Sequence, residues 1–372
     1  MRALTRLCLL IGLATLLLAC TASPRRPWPE RSPAEVRAQL QQLLPARLAE
    51  REAWAADIEA AFRHLELLPS TDNLCAALAV IEQETGYRAN PTVPGLPAIA
   101  RGEIERRAAA LKIPKRAVAA ALRLPSGDGR SFGERLDALR TEKDMSDLFE
   151  ELINRVPLGQ RLFASANPVR TGGSMQVAIV FAEAHARRQR YPYALDGSVR
   201  DEVFSRRGGV YFGIAHLLQY PSSYTRHIHR YADFNAGWYA SRNAAFQRAV
   251  SQLSGIDLVP DGDLTLPDAG LFSRERSRTE TATLGLAGRL GLSESRIRRD
   301  LARADRFAFE QSATWRAVFA AADAEAGRAL PRAVIPQIRL HSPKITRPLT
   351  TEWFANRVEA RYRACIHRAY AG

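Results

Sequence analysis

Apolar residues recur at helical spacing through Val36, Leu40, Leu43, Leu44 and Leu48, then through Trp54, Ile58, Phe62 and Leu65. That rhythm predicts two amphipathic helices divided at Pro45. The next run, Leu74-Cys75-Ala76-Ala77-Leu78-Ala79-Val80-Ile81, has no polar face, which predicts a buried helix. Pro69-Ser70-Thr71-Asp72 in front of it has the residue types of a helix start. Residues 90–97 hold three prolines and a glycine and read as a loop. Helical patterns resume over Glu103 to Leu124 and Phe132 to Val156, separated by Gly127-Asp128-Gly129, and again over Val177 to Arg188. Pro331 to Pro348 reads as an extended linker and Thr351 to Tyr370 as a last amphipathic helix. With β-branched runs scarce and Ala, Leu and Arg abundant, the fold class is mainly α.

The first residues do not belong to that pattern. Arg2 and Arg6 precede an apolar stretch from Leu7 to Leu18 that ends at Ala19-Cys20, the layout of an export signal. The stretch is too short to span a bilayer comfortably. Leu17-Leu18-Ala19-Cys20 resembles the bacterial lipobox, which implies cleavage after residue 19 and acylation of Cys20. The plainer reading is an ordinary signal with an incidental cysteine. Several acyl chains on one residue would anchor the protein stably. Thr21 is not the Asp that holds lipoproteins at the inner membrane, so the resemblance implies the periplasmic face of the outer membrane. Thr21 to Pro33, rich in Pro, Arg and Ser, would be the tether.

Export changes how the charge is read. The chain of 372 residues carries a formal +14, and loss of Arg2 and Arg6 leaves 14 − 2 = +12. Outside the cytoplasm such a balance draws the protein to wall polymer or anionic lipid rather than nucleic acid. Thr283 to Leu301 has the outline of a DNA-reading helix-turn-helix, but two short helices around a glycine turn are common packing units. Of four cysteines, Cys8 leaves with the signal and Cys20 is the lipid site. Cys75 and Cys365 remain, either paired in an oxidising compartment or as ordinary buried thiols. His227 and His229 are the one close histidine pair, with no partners at zinc spacing, so they read as surface and no metal or other cofactor is expected.

Chemistry concentrates where the apolar helix ends, at Gln83-Glu84-Thr85-Gly86-Tyr87. A carboxyl at that point is partly desolvated, which would raise its pKa and suit it to act as an acid near neutrality. The bland alternative is a solvated Glu before a capping glycine. The pentapeptide resembles the first signature of the lytic transglycosylases, the goose-lysozyme-like branch of the lysozyme superfamily. Gly173-Ser174-Met175-Gln176 resembles their second motif, and the glycine-rich helix Gly209 to Leu218 matches the third in part, with Tyr211-Phe212 and His216-Leu217 at variant positions. Ala232-Asp233-Phe234-Asn235-Ala236-Gly237 is similar to the fourth, with Phe234 in place of a tyrosine whose phenol Tyr231 could supply.

The resemblance implies a lysozyme-like helical domain over 34–255 with a long helical insertion at about 101–170, and a helical C-terminal extension over 256–372. It implies cleavage of peptidoglycan glycan strands, with Glu84 catalytic and Thr85, Tyr87, Met175, Gln176, Tyr211, Phe234 and Asn235 on the sugar groove. Trp238 and Tyr239 are further candidates for stacking on sugar rings. Glu82 should face elsewhere, two residues along the helix. One carboxylate suffices for this chemistry, with Asp233 and Glu183 as the other acids near the motifs. The alternative is a wall-binding or scaffolding lipoprotein that kept the groove without the reaction.

Overall fold

The computed structural model describes residues 31–155, 167–266, 275–340 and 347–371. The signal, Cys20 and nearly all of the tether lie outside the described residues. The chain is mainly helical, as its periodicity predicts. Helices α1 (Pro33–Leu43) and α2 (Arg51–His64) part near Pro45, and α1 starts on a capping box between Ser32 and Glu35. Helix α3 (Thr71–Glu84) starts where Ser70 accepts from the backbone N–H of Asn73, and Leu74 through Ile81 are all buried.

The pattern from Glu103 to Leu124 is two helices, α4 (Leu96–Ala110) and α5 (Lys115–Leu122), because Pro114 cannot continue the first. Phe132 to Val156 likewise divides into α6 (Phe132–Asp137) and α7 (Glu142–Asn154), the second started by a Thr141–Asp144 capping box. A short hairpin, β1 (Thr171–Gly172) against β2 (Val177–Ala178), leads into α8 (Ile179–Arg188). Helices α9 (Val199–Val203), α10 (Arg206–Leu218), α11 (His227–Ala236) and α12 (Ala240–Ser254) follow. Then come α13 (Arg278–Gly285), α14 (Ala287–Leu290), α15 (Glu294–Leu301) and α16 (Ala313–Ala326). Strands β3 (Arg339–Leu340) and β4 (Leu349–Thr350) pair within the expected linker and deliver the chain to α17 (Thr351–Tyr370).

Among the described residues three apolar cores result, and they do not follow a division at residue 255. The first gathers α1, α2, α3, α10, α11 and α17. The second is built from Phe246 and its neighbours on α12 together with α13, α15 and α16. The C-terminal region is therefore split. Its middle makes a core with α12, whereas α17 returns to the first core, where Phe354, Ala355, Val358 and Cys365 are buried. Helix α17 packs between α3 and α11, and Cys75 of α3 is disulfide-bonded to Cys365 with Cα atoms 5.6 Å apart.

The third core, small and separate, joins Leu96 and Ala100 to Phe132, Leu136 and Leu148. It starts earlier than residue 101, because the neck closes just after α3: Val93 N–H donates to the Arg140 carbonyl at 2.8 Å and Asn90 to the Thr141 hydroxyl at 3.1 Å. The expected helix-turn-helix region lies in the second core, with Ile297 and Leu301 buried and Arg296 and Arg298 paired to Asp300 and Glu280.

Candidate functional site

Helix α3 ends abruptly. Glu84 is its last residue, and Gly86 and Tyr87 follow with φ of 58° and 63°. Two successive left-handed residues reverse the chain; the glycine adopts that conformation freely, the tyrosine at a cost. The cost is offset by burial. The Tyr87 hydroxyl donates to the Leu78 carbonyl at 3.3 Å and its ring meets the edge of Trp54 with centroids 5.7 Å apart. Tyr87 therefore locks the turn and offers no face to a sugar, a correction to its sequence-based role. Glu84 itself is half-buried at the helix terminus. Glu82 faces elsewhere, beside Arg361 of α17 at 3.6 Å.

Thr85 also differs from expectation. It is buried, and its hydroxyl lies 2.8 Å from the carbonyl of Ser174 and 3.3 Å from that of Ile81. It thus bonds the end of the Glu84 helix to the Gly-Gly-Ser-Met-Gln turn, 89 residues further on. That turn is the tip of the β1–β2 hairpin, and only glycine fits two of its positions. A Cβ on Gly172 would stand 2.5 Å from the Phe204 ring, and one on Gly173 would strike the Val203 carbonyl. Met175 is buried against α10, where a Cβ on Gly213 would be 2.5 Å from its own Cβ. Met175 is accordingly a packing residue that seats the hairpin on the helix. Gln176, at φ 51°, stays half-exposed, its amide between the Thr171 hydroxyl at 3.2 Å and the Gly173 carbonyl at 3.4 Å.

Helix α10 places His216 at the centre of an aromatic cluster: Phe181 at 4.7 Å, Phe234 at 5.0 Å and Trp238 at 5.7 Å between ring centroids. Tyr211, one turn earlier, is fully buried among Tyr191, Phe212 and His185, and burial pushes its phenol up to about 12. Tyr211 is thus part of the core rather than the groove. Tyr231 is also buried and stacks toward His227 and Tyr362, so it does not replace the phenol that Phe234 lacks. The histidine pair is not a surface feature, because α11 is covered by α17; His227 accordingly bonds to Asn73 at 3.2 Å.

Desolvation pulls the His216 imidazole down to about 4. Its ordinary value is about 6.5, so the unfolded chain takes up a proton first as pH falls. The contribution is complete above pH 6.5 and is lost on descent toward pH 4, amounting to about 3 kcal/mol over the shift. His216→Phe should flatten that part of a stability-versus-pH curve measured by urea unfolding, leaving the share due to His229, which burial also pulls down to about 4, and to His64, His185 and His227, which burial also lowers. An unchanged slope would refute the assignment.

The fourth segment turns at Gly237, φ 104°. Asp233, fully buried, accepts from the hydroxyls of Tyr220 at 3.1 Å and Tyr224 at 2.7 Å and from the N–H groups of Tyr239 at 3.0 Å and Ser241 at 2.7 Å. All four partners are donors. That set marks Asp233 as the anchor of α12 rather than a second catalytic acid. Trp238 donates to the His216 carbonyl at 2.8 Å and stacks with both His216 and Tyr220, while Tyr239 is buried under the Arg242 guanidinium, 4.1 Å from its ring. These contacts occupy the rings that sequence reading assigned to sugars. Phe234 is half-buried and Asn235 exposed, its side-chain oxygen accepting from Thr351 of α17 at 2.9 Å. Glu183 is half-buried on α8.

The four segments therefore form one unbroken line: Thr85 to Ser174, Met175 to Gly213, His216 to Phe234, and Asn235 to Thr351. Glu84, Gln176, His216, Phe234 and Asn235 keep some exposed surface along it. Ser174, His216 and Thr351 were not singled out for a role, and only His216, standing at a variant motif position, carried a signal. A cavity of about 1060 Å³ opens beside Gly237 between the first and second cores, lined by His216, Trp238, Asn243 and Asp263 among others. A second, of about 700 Å³, opens beside Glu82. Glu84 lines neither.

Comparison with known proteins places these segments in a wider group. The family described as "Protein of unknown function (DUF1615)" matches residues 47–368. The chain is 51% identical over 356 residues to "Uncharacterized protein YaiW" of Escherichia coli (strain K12), covering 95% of this chain and 96% of that one. No solved structure matches.

Proposed function

The chain belongs to the DUF1615 family, and for this member we propose lytic cleavage of peptidoglycan glycan strands, with Glu84 as acid and then base. The observation that carries the proposal is the Thr85–Ser174 hydrogen bond at 2.8 Å, which ties the Glu84 terminus to the hairpin bearing Met175 and Gln176. Two segments far apart in sequence but alike in motif order are thereby joined by direct contact. In the reaction, the Glu84 carboxyl gives its proton to the glycosidic oxygen as the bond to the muramic C1 breaks. The resulting carboxylate takes the proton of the C6 hydroxyl as that oxygen attacks C1. The product is a 1,6-anhydro ring, and the proton returns to Glu84 without water being consumed. Gln176 and Asn235 supply amides for the sugar, and Phe234 supplies an apolar edge.

Incubation of purified sacculi with the protein, followed by mass analysis of released fragments, tests this reading. Anhydro-muropeptides should appear, and Glu84→Gln should reduce their rate by about a hundredfold or more, the contribution of a positioned general acid. Undiminished release by that variant would dismiss Glu84. The second reading, a wall-binding lipoprotein without catalysis, is favoured by Phe234, which has no phenol and is packed against His216. It predicts sacculus binding with no anhydro product. Anchoring at the outer membrane through Cys20 is part of both readings, and mass analysis of the N-terminal peptide for acyl groups tests it.

A further inference from the structure

The helical hairpin of α4 and α5 projects from the third core with an unusual surface. From Ala108 to Gly127 it carries four cations, Lys112, Lys115, Arg116 and Arg123, and no acidic residue. Of the acids that flank this run, Glu105 is exposed, Glu103 is paired with Arg106 and Arg107, and Asp128 is paired with Arg130. Between the cations stand large apolar side chains in water: Leu111 is 67% exposed, Ile113 43% and Leu124 50%. Helix α5 contributes no buried residue, although its sequence is amphipathic. Leu122 of α5 packs on the third core, and among the described residues Leu111, Ile113 and Leu124 stay exposed.

We infer that the α4–α5 tip docks on an anionic lipid bilayer surface, with Leu111, Ile113 and Leu124 entering the interfacial layer and the four cations meeting lipid phosphates. Charge complementarity selects this occupant. A run of cations without acids, interleaved with exposed leucine and isoleucine, suits a surface that is negative outside and apolar beneath. Among the described residues no helix is long and apolar enough to cross a membrane, so contact would be interfacial. The tip is independent of the Glu84 face, so this inference stands or falls without the proposed reaction.

Residues 20–372 carrying Cys20→Ser, so that no acyl group contributes, would be sedimented with vesicles of phosphatidylcholine alone or mixed equally with phosphatidylglycerol. Binding to the anionic vesicles should exceed that to the zwitterionic ones by about tenfold and should fall steeply with added salt. Leu111→Asp with Ile113→Asp should reduce it by about tenfold, as should Lys112→Glu with Lys115→Glu. All four positions are exposed, so circular dichroism should be unchanged. Equal binding by wild type and both variants, or no binding to anionic vesicles, overturns the proposal. So does tip-dependent retention on sacculi or self-association without vesicle binding, either of which would identify a different occupant.

Discussion

Replacing Cys75 and Cys365 by serine should destabilise the protein more than any single change on the candidate groove. The bond joins residues 290 apart in sequence. In the chain-entropy treatment, closing a loop of that length removes enough unfolded-state freedom to contribute about 5 kcal/mol. Both sulfurs lie in the first core, on helices α3 and α17, so the serine pair would also leave two hydroxyls among apolar neighbours. The expected result is a marked fall in Tm and urea midpoint, with a similar fall when wild type is reduced under mild denaturation. Separately, α17 peptides should exchange amide hydrogen faster than those of α3, because α17 loses its covalent tie while α3 keeps its buried run. A variant with wild-type midpoint would mean that packing alone holds α17 in place.

Much of this arrangement was legible in the sequence, and the reasons differ from element to element. The burial of α3 could be read because a run with no polar face has nowhere else to go. The final helix could be read from its own periodicity, but not its destination. Periodicity reports that a face will be covered and is silent on what covers it, so α17 looked like part of a C-terminal appendage when it completes the first core. The same limit misassigned the aromatic residues. Tyr87, Tyr211, Trp238 and Tyr239 sit at motif positions where a ring can face a ligand or a neighbour, and composition cannot separate the two. The structure gives each a neighbour: Trp54, Tyr191, His216 and Arg242 respectively. Backbone requirements were more legible than side-chain roles, since the glycines at 172, 173 and 213 each mark a place where two chains touch.

Thr85 illustrates the same point at the candidate site. The resemblance placed this small hydroxyl on a sugar groove. The hydroxyl instead serves Ser174, and that contact between distant segments does more for the functional reading than a local one would. Glu84 is positioned by a helix terminus, a reversed turn and a hairpin, each fixed by a different residue. An arrangement built in this way tolerates loss of an individual exposed side chain better than loss of a glycine beneath it. Gly213→Val should therefore displace Met175 and the hairpin even though it touches no exposed residue.

Arg242→Met should cost about 3 kcal/mol, because a buried guanidinium with its acceptors already in place cannot be removed without leaving them unpaired. The side chain is fully buried at the start of α12. It donates to the Arg306 carbonyl at 2.9 Å, to the Ala304 carbonyl and to Asn243 Oδ1 at 3.1 Å, with Glu310 3.8 Å away. Its guanidinium carbon lies 4.1 Å from the centroid of the Tyr239 ring and 5.3 Å from that of Phe309. One residue thus joins the turn after Phe234 to the segment that closes the second core. Lysine should not rescue it, since a single ammonium cannot reach two carbonyls and an amide while stacking on a ring. Hydrogen exchange should show the second core, residues 240–322, losing protection before the first in Arg242→Met. If both cores lost protection together, the two would form one cooperative unit, and Arg242 would not be the joint between them.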